Sequence, residues 1–426
     1  MTINAKYIRE SEKSETLLIN EVSKLKETAG ETVYKFGFGQ SPFLPPQHVI
    51  DKLKDYSHRK EYAAVQGLQD LREAAANYHN HYDKLAINAD DVLVGPGSKM
   101  LIYSILCAFT KADVMVVTPS WVSYEPQAKL AKLNSIRINT TYESRWRLTP
   151  ELVKAAYESK EDKDVPSVLI LNYPGNPDGL NYNDAELEAL AQAFRECNIL
   201  VISDEIYGFL NHDNEHISLA RHYPEGTIVT TGLSKWCGAG GWRLGVALLS
   251  PSLDPRLKDS IIGIASETYS CAPVPVQFAA VEAYQVDARI EAYLSGQRRI
   301  LKCIAMHMYK RLKAIGVNIH EPQGGFYLNP DFSPFADSLK ERGITTSEEL
   351  CEQLLKDKSV AVLPGSSFGY PSDALITRIA YVDFDGTAAL AALNTVSGEL
   401  DDAFLNKYCP KVVEGTQRLV DWLSNA

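Results

Sequence analysis

Val168-Leu169-Ile170-Leu171-Asn172-Tyr173-Pro174-Gly175-Asn176-Pro177-Asp178-Gly179 is the stretch whose reading decides the fold. Four apolar residues in succession, rather than an alternation, mark a strand buried on both faces. The prolines and glycines that come next set a turn at the strand's carboxyl edge, the place where α/β sheets bind ligands. Outward from this stretch, similar short runs recur at 91–94, 114–117, 200–203, 227–230 and 244–249. Helical patterns lie between them, such as Asp184–Cys197 with Leu187, Leu190, Ala191 and Phe194 on one side. This order predicts an α/β fold with a large, doubly wound, mostly parallel sheet.

After about residue 285 the texture changes. A long helical stretch, Ala288–Ile315, leads into shorter segments at 324–327, 360–363 and 375–381, and a final helix is expected over about 412–423. The division read from this is an N-terminal arm over 1–45, a large domain over 46–300 and a smaller α+β domain over 301–426, which the arm joins.

Of the 426 residues, 45% are hydrophobic and 23% charged, enough to build a core without staples. The net charge of −11 argues against nucleic acid as a partner, since phosphate backbones need a basic face. No apolar run reaches the roughly 18 residues of a membrane span. The seven cysteines are odd in number, none are two or three apart, and most sit in apolar stretches. Reduced thiols in a cytoplasmic protein are expected, with no metal framework and no leader in the charged first residues.

Three successive strand ends carry the chemistry. Besides Asn176 they offer Ser203-Asp204-Glu205-Ile206-Tyr207, then Gly232-Leu233-Ser234-Lys235, with Arg243 eight residues after the lysine. A single lysine is usually a solvated charge, and an aspartate after a strand usually a helix cap. Lys235, however, lies among glycine, serine, cysteine and tryptophan with no adjacent counter-charge, which suits an amine with lowered pKa ready for Schiff-base chemistry. An aldehyde cofactor with a pyridine ring needs the remaining parts: Asp204 to keep the ring nitrogen protonated, Asn176 and Tyr207 for the ring hydroxyl, Arg243 to grip a phosphate. Gly95-Pro96-Gly97-Ser98-Lys99, ahead of a helical run, offers backbone N–H groups as an anion cradle. Trp121 comes after a strand and could stack on the ring. These parts describe pyridoxal 5′-phosphate.

The motifs NYPGNPDG (172–179), SDEIYG (203–208) and GLSKWCGAGGWRLG (232–245) resemble those of class I/II aminotransferases of the aspartate aminotransferase superfamily. The resemblance runs from about residue 14 to about 400. It takes in Gly37–Phe43, Tyr62–Gly67 with Leu71-Arg72, Pro322–Tyr327, Leu363–Gly369 and Thr377-Arg378-Ile379. It implies a fold type I pyridoxal-phosphate enzyme with a seven-stranded-type sheet. The activity implied moves an amino group from an L-amino acid to a 2-oxo acid in two half-reactions, through an internal aldimine on Lys235. By the same resemblance Asp204 pairs with the pyridine nitrogen, and Asn176 and Tyr207 with the phenolic oxygen. Gly97, Ser98, Lys99, Ser234 and Arg243 line the phosphate, and Arg378 clamps the substrate carboxylate with Gly39 nearby. Tyr62 reaches the phosphate of the partner subunit in a homodimer.

Two departures stand out. Gly232 replaces a serine that many members use to touch the phosphate, and Lys99 could serve the phosphate or a second substrate carboxylate. A lyase of the same fold (C–S β-lyase or cyclase-like) is the alternative activity, and a pyridoxal-phosphate-sensing regulator the remote one. His212-Asp213-Asn214-Glu215-His216 fits a zinc-peptidase pattern, but its turn signal makes a surface loop the expectation. Lys160–Asp164 reads as a solvated charged face, and Gly37-Phe38-Gly39 lacks the third glycine of a dinucleotide site.

Overall fold

The computed structural model describes residues 15–396 and 398–424. Its centre is a seven-stranded sheet. In chain order, β1 (Tyr34–Lys35) stands apart from it, and β2 (Val92–Gly95), β3 (Asp113–Thr118), β4 (Asn134–Asn139), β5 (Ser167–Asn172), β6 (Ile199–Asp204), β7 (Thr227–Gly232) and β8 (Gly245–Leu249) form it. The spatial order is β2-β8-β7-β6-β5-β3-β4, parallel throughout except for β8, which runs antiparallel to both neighbours.

Both faces are covered, as the unbroken apolar runs require. Val114, Val116, Val168 and Ile170 pack into one core, and Met115, Val117, Leu169 and Leu171 point the other way into a second. On that second side the helix Asp184–Glu196 buries Leu187, Leu190, Ala191 and Phe194. Its N-terminus is fixed by a capping box between Asn183 and Glu186.

Strand β4 has no counterpart among the apolar runs of the sequence. It is one of the two edge strands, and its sequence Asn-Ser-Ile-Arg-Ile-Asn is mostly polar because only Ile138 is fully covered. A solvated edge does not need the apolar run that betrays a central strand.

A three-stranded sheet of β9 (Tyr327–Leu328), β11 (Leu363–Pro364) and β12 (Thr377–Ala380) marks the second unit, and β10 (Val360–Ala361) pairs in parallel with β1. The described part of the N-terminal arm is thereby stitched to this unit, with Phe36 N–H donating to Ala361 and Ala380 N–H to Phe36. Residues 1–14 of the arm lie outside the described residues. The helix Ala288–Ala314 runs unbroken through position 300 and packs against the closing helix Pro410–Ser424. Among the described residues no helix is long and apolar enough to cross a membrane, and no group of three His, Cys, Asp or Glu could hold a metal.

Two expectations are corrected. Lys160 is not solvated: its ammonium is buried, donates to Val165 O and Ser167 Oγ, and lies 3.5 Å from Asp113. Backbone and hydroxyl acceptors at the start of β5 replace its water. The 212–216 segment does turn at Asn214 (φ 60°), yet both histidines are tucked inward. His216 Nε2 lies 3.0 Å from the buried Glu205, and burial lowers the His212 imidazole to about 4.

Candidate active site

The carboxyl ends of β5, β6 and β7 are in register, with Asn172 opposite Asp204 and Asp204 opposite Thr230. The turns that leave these three strands therefore open into one space. That space is a cavity of about 570 Å³. Its walls include Gly39, Ser98, Lys99, Trp121, Asn176, Asp204, Tyr207, Ser234, Lys235, Arg243 and Arg378. Gly97 stands just behind it, in the left-handed region at φ of 90° that favours glycine, and a Cβ there would meet the Arg243 guanidinium. Tyr62 is not brought to this cavity; it is 88% exposed.

Lys235 Nζ donates to the Gly39 carbonyl at 2.7 Å and lies 5.4 Å from the centroid of the Tyr207 ring. Burial pushes its pKa down, so the amine is easier to deprotonate than an exposed lysine. Asp204 accepts from Tyr124 Oη at 2.6 Å, and Thr230 Oγ1 lies 3.5 Å away. Burial raises its carboxyl to about 6, against the pull of those hydroxyls. Tyr207 Oη lies 2.8 Å from Tyr327 Oη. Arg378, 1% exposed, donates from Nη1 to Asn176 Oδ1 at 3.2 Å and from Nη2 to Gly37 O, while its buried Nε has no partner.

The phosphate end is built from the N-terminus of the helix Ser98–Cys107, whose first N–H groups come directly after Gly97. Arg243, held in the left-handed region (φ 57°), reaches across to Pro96 O and Gly240 O. Lys99 Nζ lies 4.8 Å from the centroid of the Trp121 ring, and its pKa is lowered by burial and by Arg243. Gly232 cannot supply a side chain here. A Cβ would lie 2.6 Å from the Leu244 carbonyl and 2.7 Å from Gly245 Cα. Ser234 lines the cavity and is the hydroxyl available instead, whereas Thr231, its Oγ1 buried without a partner, is not on the cavity wall.

These residues fit pyridoxal phosphate. A buried carboxyl that accepts from two hydroxyls and the Ile206 backbone, with no cation among the described residues paired to it, suits a protonated ring nitrogen, and a cationic cradle at a helix N-terminus suits a phosphate dianion. Tyr124, as the partner of Asp204, and Tyr327, facing Tyr207, are legible from sequence only as pocket aromatics. The spacing Trp121-x-x-Tyr124 at the start of a helix is the available signal for the first.

Residues 31–388 match the family model described as aminotransferase class I and II. An aspartate aminotransferase from Bacillus sp. (strain YM-2) is 32% identical over 85% of this chain and 91% of its own length. An asparagine–oxo-acid transaminase from Streptococcus mutans is 27% identical over 94% of this chain and all of its own. Among solved structures, the aromatic aminotransferase from Pyrococcus horikoshii OT3 superposes with a TM-score of 0.78 at 26% identity, covering 95% of this chain and 99% of that one.

Proposed function

We propose, on the premise that this chain belongs to the aminotransferase class I and II family, a division of labour among the residues of its site. The chain is a pyridoxal-phosphate-dependent transaminase, moving an amino group from an amino acid to a 2-oxo acid. When bound, the cofactor's aldehyde takes up the amino group and its ring delocalises the electrons left on the substrate α-carbon.

Lys235 Nζ, whose pKa burial lowers, would hold the cofactor through its aldehyde carbon; displaced from there by the incoming amino group, the freed amine would take the proton from the substrate α-carbon. Asp204 holds a proton at the ring nitrogen; Tyr124 fixes its carboxylate. Tyr207 and Asn176 donate to the phenolic oxygen. Gly97, Ser98, Lys99, Ser234 and Arg243 hold the phosphate, and Trp121 covers the ring. Arg378 exchanges Gly37 O for the substrate carboxylate, whose two oxygens match its planar fork. The single observation that carries this reading is a lysine with lowered pKa, a buried carboxyl and an arginine without a carboxylate partner on the walls of one cavity.

Lys99 faces the same cavity, and its amine favours a second carboxylate on the substrate. That reading agrees with the relatives named for aspartate. A homodimer that shares its sites is part of the proposal. Its support is Tyr62, 88% exposed, near a surface where Tyr56 stacks on Phe278 at 4.2 Å and Arg59 caps the same ring at 4.8 Å. We also place the chain in the cytoplasm, on the support of seven free cysteines, and keep the arm, large and small domains at 1–45, 46–300 and 301–426.

Adding an amino acid alone to the holoenzyme should shift the cofactor's visible band, and a 2-oxo acid should restore it. Release of ammonia and a 2-oxo acid without an acceptor would favour the lyase instead. Donors with and without a side-chain carboxylate, run in parallel, test the role of Lys99.

A further inference from the structure

Arg147 is a fully buried arginine that no sequence motif singles out. Its exposure is 5%, and every arm of its guanidinium is used. Nε donates to Arg145 O at 3.0 Å, Nη1 to Leu180 O at 3.2 Å, and Nη2 to Asp178 Oδ2, while the group lies over the Tyr182 ring at 4.8 Å. Asp178 is equally engaged: its Oδ1 accepts from Leu180 N–H at 2.8 Å and packs on Gly175 so closely that no side chain fits there. The pair thus clasps the turn 175–180 from within. Asn176, on that turn, is tied at its other end to Asn172 Oδ1 (2.8 Å) and to Arg378 (3.2 Å).

The strand-side approach to Arg147 is strained. Arg145 and Trp146 both have positive φ, 57° and 54°, which side-chain-bearing residues avoid, and such conformations persist where the surroundings over-determine them and gather at functional sites. Arg145 Nη2 donates to Gln323 Oε1 at 2.9 Å, which also accepts from Asn181 N–H at 2.9 Å. Four residues after Gln323 stands Tyr327. A space of about 20 Å³, enough for one water, separates the pair from the main cavity; Tyr124, Asn172 and Asn176 border both.

We propose that Arg147 and Asp178 are positioning residues for the reaction: their buried ion pair sets the place of Asn176 and, through it, of the Arg378 guanidinium. The pair touches neither cofactor nor substrate. It forms the back wall against which the carboxylate end of the site is registered. The inference rests on the roles proposed for Asn176 and Arg378 in transamination.

The test uses holoenzyme carrying Asp178→Asn, which keeps the shape and the Leu180 bond but removes the charge, and Arg147→Lys, which keeps the charge but loses the fork. KM for the amino donor and for the 2-oxo acceptor should each rise about tenfold in both variants, with a smaller change in kcat, as misplacement of a binding group requires. The pH midpoint of the visible band should move with the cofactor still bound, because Asn176 shifts against it. Should one variant fail to fold, the other carries the same readouts. Wild-type KM values and an unmoved midpoint, alongside a lowered Tm, would reduce the pair to a structural role and overturn the inference. Failure of the wild-type enzyme to transaminate would instead strike the functional reading itself.

Discussion

The two most deeply buried arginines of the central region, Arg147 and Arg378, live under opposite rules. Arg147 meets a carboxylate and two carbonyls; burial pushes its pKa down, but Asp178, Tyr182 and Glu186 together outweigh that and the net shift is upward. Arg378 meets one carbonyl and one amide, leaves Nε unpaired, and burial lowers its pKa. A buried charge without a counter-charge is costly. A fold that keeps one beside a cavity has reserved it for an anion that comes and goes. The pair separates a charge used for architecture from a charge used for binding.

This contrast can be broken by experiment. Arg147→Met leaves Asp178 buried and unpaired, and should lower stability by about 3–5 kcal/mol in denaturant unfolding of the cofactor-free protein. Arg378→Met removes an unpaired charge, and should leave the same measurement unchanged or raise it. Equal losses in both would erase the distinction. Activity should divide the other way: Arg378→Gln should cost about 2–5 kcal/mol in kcat/KM, with the cofactor still bound.

Asp204 extends the comparison to carboxylates. Its pKa in the folded, cofactor-free chain is about 6, above the ordinary 3.8, so the folded state holds the proton more tightly than the unfolded one. Stability should therefore fall as pH rises from about 4 to about 6, by up to about 3 kcal/mol. Asp204→Asn should abolish this slope and make the cofactor-free protein the more stable of the two at pH 8. With cofactor present the ranking should reverse, because the mutant cannot neutralise a charged ring nitrogen. The smallest effect is expected at Lys99. Lys99→Ala should lower kcat/KM for a dicarboxylic donor by about 1–3 kcal/mol more than for a donor with an apolar side chain. An equal loss on both donors would assign Lys99 to the phosphate alone.

How much of this is legible in the sequence depends on the range of the forces involved. Strands β3, β5, β6, β7 and β8 announce themselves because burial on both faces imposes apolar runs, whereas the solvated edge strand β4 imposes none. Asn176, Asp204, Tyr207 and Lys235 are readable because each sits at or just after the carboxyl end of a strand, where chain order alone predicts convergence, and Arg243 because it comes eight residues after Lys235 in the turn that leads to β8. Arg378 comes only from the family resemblance, since nothing local distinguishes it. The Tyr124–Asp204 bond joins residues 80 positions apart, and the Arg147–Asp178 pair spans 31. Neither has a local signature, so their partners emerge only from the folded chain. Lys160 misleads for the same reason: its acceptors are made by the strand that comes after it.

The most direct test of the central claim, a covalent link between cofactor and Lys235, is reduction of the reconstituted holoenzyme with borohydride and peptide mapping of the product. The phosphopyridoxyl mass should appear once per chain, on the peptide carrying Lys235. A label on Lys99 or any other lysine, or no label on a protein that stays colourless, would contradict it.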